Sequence, residues 1–301
     1  MKEKEVKKFW EDGYIHIKSV FTKEEVLLLR NKLEKSQNLS KKVTSSKNDL
    51  LSQKYFDDLL LDERIISRIK SILGGQIIYF GDSSWIAHKY DSKQEIDSYH
   101  TDNSYRFRNG PDWSGKYPII RFGLFLQDHK KQGGGILFNR KSHNRFINNR
   151  YLRYLNREVL GWINGNSKYM ATEVGDLLIW NLKLSHAGRG QYLKYFFKKP
   201  VSRSLSKIIP KLFLSKYNSN RFLVTGTFGL EGEHLQTYIQ NLKTRKYMVN
   251  QWMNDSITND NLEKIKSKGI KYYDMKKQVL DDLSKGLLSM DKLKDWHEDP
   301  E

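Results

Sequence analysis

The spacing of apolar residues divides the chain into a helical beginning, a strand-rich middle and a helical end. Apolar positions recur at helical spacing up to about residue 75 and again from about residue 231. Between these regions, short apolar runs rich in β-branched and aromatic residues are separated by Gly, Asp and Asn, as is typical of strands and turns. We therefore predict a single domain with an N-terminal helical segment (1–75), a β core (76–230) and C-terminal helices (231–301).

Within this outline the periodicity predicts individual elements. Helices are expected at 3–12, 22–35, 56–73, 234–254, 259–268 and 275–288. Strands are expected at 14–17, 76–80, 85–90, 119–126, 136–138, 168–172, 177–180 and 221–228. Residues 36–54 are polar and predict a loop. The fold class is thus mainly β with flanking helices, and the pattern alone allows a sandwich or a barrel.

Composition limits the chemistry. The chain of 301 residues has 38% hydrophobic residues, enough for a substantial core, and no cysteine. Disulfides, zinc fingers, iron–sulfur clusters and thiol nucleophiles are therefore excluded, so any metal must be held by His and carboxylate ligands. The first residues are charged, without the apolar run of a signal peptide, and no stretch approaches the length of a membrane span. We expect no transmembrane segment and a cytoplasmic location.

One short motif carries candidate metal chemistry. His100 and Asp102 stand two residues apart, so on extended backbone their side chains point the same way. A later histidine, His186, follows a separate apolar strand and can join them. Two imidazoles and one carboxylate form the facial triad of non-haem Fe(II) oxygenases, although the same ligands can hold zinc in a hydrolase. No HExxH helix, GxSxG elbow or Walker loop supports a different reaction.

The order of the surrounding segments is informative. Residues 9–17 (FWEDGYIHI), Phe21 and the helix 24–33 precede the HxD motif; residues 124–128 (LFLQD), 133–137 (GGGIL) and 141–143 (KSH) follow it, and 175–180 (GDLLIW) leads to His186. In this order the segments resemble the phytanoyl-CoA dioxygenase family of Fe(II)/2-oxoglutarate-dependent oxygenases. The resemblance covers about residues 9–35 and 76–229.

The resemblance implies a fold, a cofactor and a cosubstrate. The core is expected to be a double-stranded β-helix (jelly-roll, cupin-like), with Fe(II) held by His100, Asp102 and His186. The family places an arginine on a core strand after the distal histidine, where it binds the far carboxylate of 2-oxoglutarate. We assign Arg221, which begins the strand-like run RFLVTGTF, with Arg203 as the alternative, and add Lys89 as a weaker cosubstrate ligand. The retained Asp102 favours hydroxylation over halogenation.

Charge is concentrated beside the distal histidine. The net charge is +18, and residues 189–221 contain nine basic residues, several aromatic residues and no acid. We interpret 189–220 as a basic insertion in the core. It can be a solvated excursion, a lid for an anionic or lipid-linked small-molecule substrate, or a surface for peripheral membrane contact. Nucleic acid is disfavoured because no recognition motif is present.

Two functions from different classes remain open. The first is an Fe(II)/2-oxoglutarate-dependent hydroxylase, for which His100, Asp102 and His186 are the catalytic residues. The second is a catalytically inactive jelly-roll that binds an anionic ligand or a membrane surface.

Overall fold

The computed structural model describes residues 1–36, 43–89, 96–102, 116–145, 147, 149–195, 200–215 and 220–294. At Arg150, Arg153, Glu158 and Arg189 it describes the backbone alone. No helix within these ranges is both long enough and apolar enough to cross a membrane.

Twelve strands occur in the described ranges. They are β1 (Tyr14–Ile17), β2 (Val43–Ser45), β3 (Ile78–Tyr79), β4 (Ser83–His88), β5 (Ile119–Phe125), β6 (Gly135–Asn139), β7 (Ser167–Met170), β8 (Leu177–Asn181), β9 (His186–Tyr192), β10 (Pro200–Val201), β11 (Arg221–Gly229) and β12 (Lys271–Tyr272).

Helices precede, interrupt and follow the strands. They are α1 (Glu3–Asp12), α2 (Lys23–Ser36), α3 (Phe56–Leu60), α4 (Glu63–Leu73), α5 (His129–Gln132), α6 (Arg150–Leu155), α7 (Gly161–Ile163), α8 (Arg203–Ile208), α9 (Glu233–Leu242), α10 (Lys246–Asn254), α11 (Asn259–Ser267) and α12 (Met275–Ser284).

The strands form a large sheet and a small one. The large sheet runs β1-β8-β5-β11-β3-β12, with β4 and β2 branching from β11, and the small sheet runs β10-β9-β6-β7. All pairings are antiparallel except that of β12 with β3. Two facing antiparallel sheets of this kind make the predicted double-stranded β-helix, so the fold class expected from the sequence is confirmed.

Alternation along the central strands separates the interior of the jelly-roll from its helix-covered face. On β8, Leu177 and Ile179 pack with α2 and α4, whereas Leu178 and Trp180 face the small sheet. On β11, Phe222 and Val224 face the helices, and Leu223 faces the interior. On β5, Phe122 and Leu124 likewise face the helices and Phe125 faces the interior, so Arg121 and Gly123 also lie on the inner side. The site described below lies in this interior.

The helical segments cover the large sheet from both ends of the chain. On one face of the large sheet, buried residues of α4 pack against residues of β5, β8 and β11. Residues of α9, α10 and α12 form a second cluster with Ile78, Phe80 and Ile119.

The structure departs from the sequence-based prediction at several points. The predicted helix 56–73 ends at Leu60, because Asp62 caps a new helix by accepting from the backbone N–H of Arg64. The predicted helix 234–254 is two helices, with Arg245 extended between them. The predicted loop 36–54 contains β2 and a 3₁₀ turn at Leu50–Ser52.

The largest departure concerns the chain after His186. We expected no strand there and began the basic insertion at Arg189, but β9 starts at His186 and continues to Tyr192. Its sequence HAGRGQY lacks an apolar alternation, because close pairing with β6 requires glycine. A Cβ on Gly190 would lie 2.8 Å from Leu137 Cγ and 2.9 Å from the Gly135 carbonyl oxygen. The excursion from the sheet therefore begins at Leu193.

Candidate metal centre

His100 and His186 are brought together by backbone pairing. The Ile96–His100 segment runs antiparallel to β9, and each histidine N–H donates to the other's carbonyl oxygen, at 2.9 and 2.8 Å. The two imidazole centroids are consequently 4.4 Å apart. Two histidines that are 86 positions apart in the sequence thus become neighbours in the structure.

The same local geometry fixes the tautomer of both rings. Nδ1 of His100 lies 3.1 Å from the Ser98 carbonyl oxygen, and Nδ1 of His186 lies 3.0 Å from that of Leu184. A carbonyl oxygen can only accept, so each Nδ1 carries the proton and each neutral ring presents an unprotonated Nε2. Hydrogen bonds of this type orient histidine ligands in metal sites.

Asp102 completes the cluster from two residues beyond His100. One ligand atom from each of His100, Asp102 and His186 lies within 4.8 Å of the others, and Asp102 Oδ1 is 3.8 Å from His186 Nε2. The HxD motif and the distal histidine therefore meet, as the sequence analysis predicted. Two nitrogens and one carboxylate suit Fe(II), and they suit zinc as well.

A buried arginine holds the carboxylate in place. Arg121 Nη1 lies 3.0 Å from Asp102 Oδ1, and its Nη2 lies 2.8 Å from Asp82 Oδ2. Trp180 Nε1 donates to Asp102 Oδ2 at 3.0 Å. Arg121 is paired in register with Trp180 on one side and Thr227 on the other, and all three face the interior.

These contacts set the protonation states that a metal needs. Burial alone would raise the pKa of Asp102, but Arg121, His186 and His100 lower it to about 2. Burial lowers the pKa of His186 to about 4, although Asp102 opposes the shift. At neutral pH the carboxylate is therefore ionised and the imidazole is neutral, which are the ligating forms.

Arg221 also faces the interior. It begins β11, is 4% exposed and stacks over the Phe125 ring at 5.0 Å. One of its terminal nitrogens lies 3.7 Å from the point where a Cβ on Gly188 would stand, two residues beyond His186. On the same face of β11, Thr225 Oγ1 is buried and has no hydrogen-bond partner among the described residues. A cation and an orphaned hydroxyl beside the cluster suit a ligand carboxylate.

The other two predicted cosubstrate ligands lie elsewhere. Lys89 directly follows β4 and is exposed, whereas His88 before it is paired with Arg221 and faces the interior. Arg203 is the first residue of α8 and donates to Ser98 Oγ, on the segment that carries His100. Of the three residues, Arg221 alone has an enclosed position on a core strand facing the cluster.

Sequence reasoning missed the residues that support the carboxylate. Arg121 stands alone among apolar residues in the strand IIRFGLF, and a lone cation in a buried strand indicates a buried anionic partner. That signal was available from the sequence. The partner was not, because Asp82 and Asp102 are 39 and 19 residues away in the chain and meet Arg121 only through strand register.

Comparison with known proteins identifies the fold and the family of the chain. A search of curated proteins found no match. Among solved structures, HygX from Streptomyces hygroscopicus with nickel and 2-oxoglutarate bound is 15% identical, with a TM-score of 0.55, covering 76% of this chain and 87% of that chain.

Two further structures share the fold. The epimerase SnoN from nogalamycin biosynthesis, in complex with Fe³⁺, α-ketoglutarate and nogalamycin RO, is 13% identical, with a TM-score of 0.51. The match between the two structures covers 75% of this chain and 82% of the SnoN chain. AviO1 from Streptomyces viridochromogenes Tue57 is 12% identical, with a TM-score of 0.51, covering 77% of this chain and 96% of that chain.

A comparison with family models identifies the family of the chain. The model of the phytanoyl-CoA dioxygenase (PhyH) family matches residues 9–191, more than half of the chain. This stretch contains the three clustered candidate ligands and the helices α2 to α4, and it agrees with the resemblance found in the motifs. The enzymes of this family are non-haem iron and 2-oxoglutarate-dependent. The chain belongs to the phytanoyl-CoA dioxygenase (PhyH) family.

Proposed function

We propose that this iron- and 2-oxoglutarate-dependent enzyme hydroxylates a small molecule, with the metal held by His100, Asp102 and His186. The observation that carries the proposal is the convergence of these three ligand atoms within 4.8 Å, with the Asp102 carboxylate ionised and the His186 imidazole neutral at neutral pH. When bound, the iron and 2-oxoglutarate supply the oxidising chemistry, and the protein supplies orientation and shielding from water.

The residues of the chain divide this work. The hydrogen bonds from Nδ1 of His100 and His186 to backbone carbonyl oxygens direct both Nε2 atoms towards one point. Arg121 and Trp180 prevent the Asp102 carboxylate from rotating. We assign Arg221 to the far carboxylate of 2-oxoglutarate, because its guanidinium is buried on the face of β11 that faces the cluster. Lys89, which is exposed, stays a prediction as a weaker cosubstrate ligand.

The choice of hydroxylation rests on Asp102. A carboxylate that occupies a ligand position leaves no room there for a halide, so the retained aspartate favours transfer of a hydroxyl group. The structures of HygX with hygromycin B and SnoN with nogalamycin RO hold small molecules at this fold. They support a small-molecule substrate here, and an anionic or lipid-linked substrate fits the basic chain beside the site.

Metal and cosubstrate binding provide the test. We expect anaerobic addition of Fe(II) and 2-oxoglutarate to give a visible charge-transfer band, and aerobic incubation to give succinate. His100→Ala should abolish both. Retention of both signals in His100→Ala would contradict the assignment of His100 as a metal ligand. Absence of both signals in the unmodified protein would favour a catalytically inactive binding module. Tight zinc retention without dependence on 2-oxoglutarate would favour a hydrolase.

A second experiment tests the assignment of Arg221. Arg221→Leu should weaken 2-oxoglutarate binding by roughly tenfold to a hundredfold while metal binding persists, because a charged hydrogen-bond partner is lost. Arg203→Leu is the matched control and should change the 2-oxoglutarate Kd much less. The reverse order of effects would transfer the assignment to Arg203. Substrate-stimulated succinate formation across candidate metabolites would then identify the substrate.

A further inference from the structure

An exposed apolar and basic surface projects from the chain after β9. Its three apolar side chains, Tyr195, Ile208 and Leu212, are 71%, 81% and 63% exposed. Three lysines, Lys194, Lys207 and Lys211, alternate with them along the chain. We refer to these six residues as the basic tip.

Hydrogen bonds and a ring contact hold the backbone of the basic tip in a defined conformation. The backbone N–H of Lys194 donates to the Phe213 carbonyl oxygen at 2.9 Å, and its Nζ lies 3.2 Å from the Leu212 carbonyl oxygen. The Tyr195 and Phe213 rings meet edge to face at 6.4 Å. Ser202 caps α8 by accepting from the Leu205 N–H. The exposed apolar residues are therefore presented by ordered backbone.

Exposed apolar side chains also occur on α6, which is hydrogen-bonded to α8. Tyr151 and Leu152 are 70% and 53% exposed, and the hydroxyl groups of Tyr154 and Ser204 are hydrogen-bonded, which joins α6 to α8. Exposed apolar side chains on two adjoining elements exceed the scattered exposure that is ordinary for a soluble protein.

Charge narrows the choice of partner. The sequence contains no acidic residue between Asp176 and Glu231, so every charged side chain of this stretch apart from its histidine is a cation. A nucleic-acid backbone would use the lysines and leave Ile208 and Leu212 exposed to water. An anionic bilayer uses both, because lysines bind its headgroups while neighbouring apolar side chains enter the interface.

We propose that the basic tip, together with the exposed face of α6, docks this protein on an anionic phospholipid surface. The elements that carry this surface are joined at two points to the Ile96–His100 segment. Arg203, the first residue of α8, donates to Ser98 Oγ, and Arg157, two residues after α6, donates to the Tyr99 carbonyl oxygen at 3.1 Å. Docking would thus orient the segment that carries His100 relative to the bilayer. This proposal does not rest on the proposed function, because binding to lipid requires no turnover.

Vesicle sedimentation with the full chain tests the proposal. We expect binding to vesicles of phosphatidylcholine mixed with phosphatidylglycerol, and little binding to phosphatidylcholine alone. Lys207→Glu with Lys211→Glu should reduce binding about thirtyfold or more, since each lysine near such a surface contributes about 1 kcal/mol. Ile208→Ser with Leu212→Ser should reduce it roughly tenfold through lost apolar burial.

Matched controls separate the tip from bulk properties. Lys4→Glu with Lys8→Glu makes the same change of charge on α1, where both lysines are exposed. Leu28→Ser with Leu287→Ser removes side chains that are 57% and 74% exposed elsewhere. Both controls should keep most of the binding.

Three outcomes would overturn the proposal. They are no binding to anionic vesicles at low salt, equal losses in the tip and control variants, and binding that survives Ile208→Ser with Leu212→Ser. The last result, with equal affinity for a single-stranded oligonucleotide, would assign the surface to a polyanion. Because the readout is sedimentation, loss of succinate formation in an otherwise lipid-binding protein would count against the enzyme alone.

Discussion

At the residue scale, the metal centre depends on how one carboxylate is held. Asp102 lies between two histidines and is 11% exposed, so its charge needs compensation. The guanidinium charge of Arg121 compensates the carboxylate charges of Asp102 and Asp82. These interactions are strong because all three side chains are largely buried. Burial alone lowers the pKa of Arg121, but the two aspartates raise it well above its usual value.

Replacement of Arg121 should therefore damage folding and metal binding together. We expect Arg121→Met to cost about 3–5 kcal/mol of unfolding free energy, because two buried carboxylates lose their cation. The pKa of Asp102 should rise, so that protons compete better with the metal. Urea unfolding and a Co(II) absorbance titration at several pH values would measure the two effects.

Arg64 provides the control for Arg121. It also contacts two carboxylates, those of Glu25 and Asp62, but its side chain is 39% exposed. Arg64→Met should cost about 1 kcal/mol or less, since solvent screens exposed ion pairs. Equal losses in the two variants would contradict the role given to Arg121.

At the scale of elements, the family motifs are points where segments distant in sequence touch. Gly175 and Asp176 form the turn before β8. Asp176 accepts from His16 Nε2 at 2.7 Å and from the backbone N–H of Ser19 at 2.9 Å, which holds β1 and its following turn against β8. The motif before the distal histidine is thus structural, and it sets the register of the strand that carries Trp180.

Gly175 has two independent reasons to be glycine. Its φ is +95°, and a Cβ would stand 2.1 Å from the Phe21 carbonyl oxygen. Gly165 has a φ of +66° with nothing near its Cβ position. We expect Gly165→Ala to cost about 1 kcal/mol from backbone conformation, and Gly175→Ala to cost several times more because backbone must move. Thermal unfolding of the two variants measures these costs. Similar decreases in Tm would mean that the backbone between β1 and β8 can move at little cost in free energy.

At the scale of the whole molecule, a buried polar cluster joins the beginning, middle and end of the chain. Asp49 accepts from the Tyr79 hydroxyl, from Ser83 Oγ at 2.7 Å and from the Leu51 N–H. Asp255, which follows α10, accepts from the Asp49 N–H at 2.7 Å. The C-terminal helices, which lie beyond the matched family region, are tied to the large sheet through this cluster.

This cluster predicts a pH dependence of stability. Burial raises the pKa of Asp49 to about 6, and burial and then the charge of Asp49 raise that of Asp255 to about 7. Unfolded aspartate has a pKa near 4. The folded state therefore holds more protons between about pH 4 and pH 7, and its stability falls as pH rises through that window.

Asp255→Asn should remove part of this dependence. The amide is neutral at every pH, so the variant should lose less free energy of unfolding between pH 5 and pH 8, by about 1–3 kcal/mol. Urea unfolding at the two pH values measures the difference. Asp291→Asn, at an exposed position, should follow the unmodified protein. A parallel pH dependence in both variants would mean that Asp255 is ionised throughout the range.

The sequence by itself determined the fold class and the family, and it predicted as metal ligands the three residues that the structure brings together, His100, Asp102 and His186. Alternating and helical apolar patterns report which side of an element is buried, and a ligand motif on extended backbone reports its own geometry. It also selected Arg221, because that residue begins a strongly apolar strand.

Only the tertiary structure decided what surrounds the ligands. Strand β9 lacks an apolar pattern, and neighbouring residues crowd its two glycines. A Cβ on Gly190 would meet Leu137 and Gly135 of β6, and a Cβ on Gly188 would meet the Asp97 carboxylate. The Arg121–Asp82–Asp102 contacts and the Asp49–Asp255 cluster join residues whose separation in the chain is fixed by no local rule. Strand register and helix packing bring them together, so these contacts, with the pKa values they set, emerge only when the chain has folded.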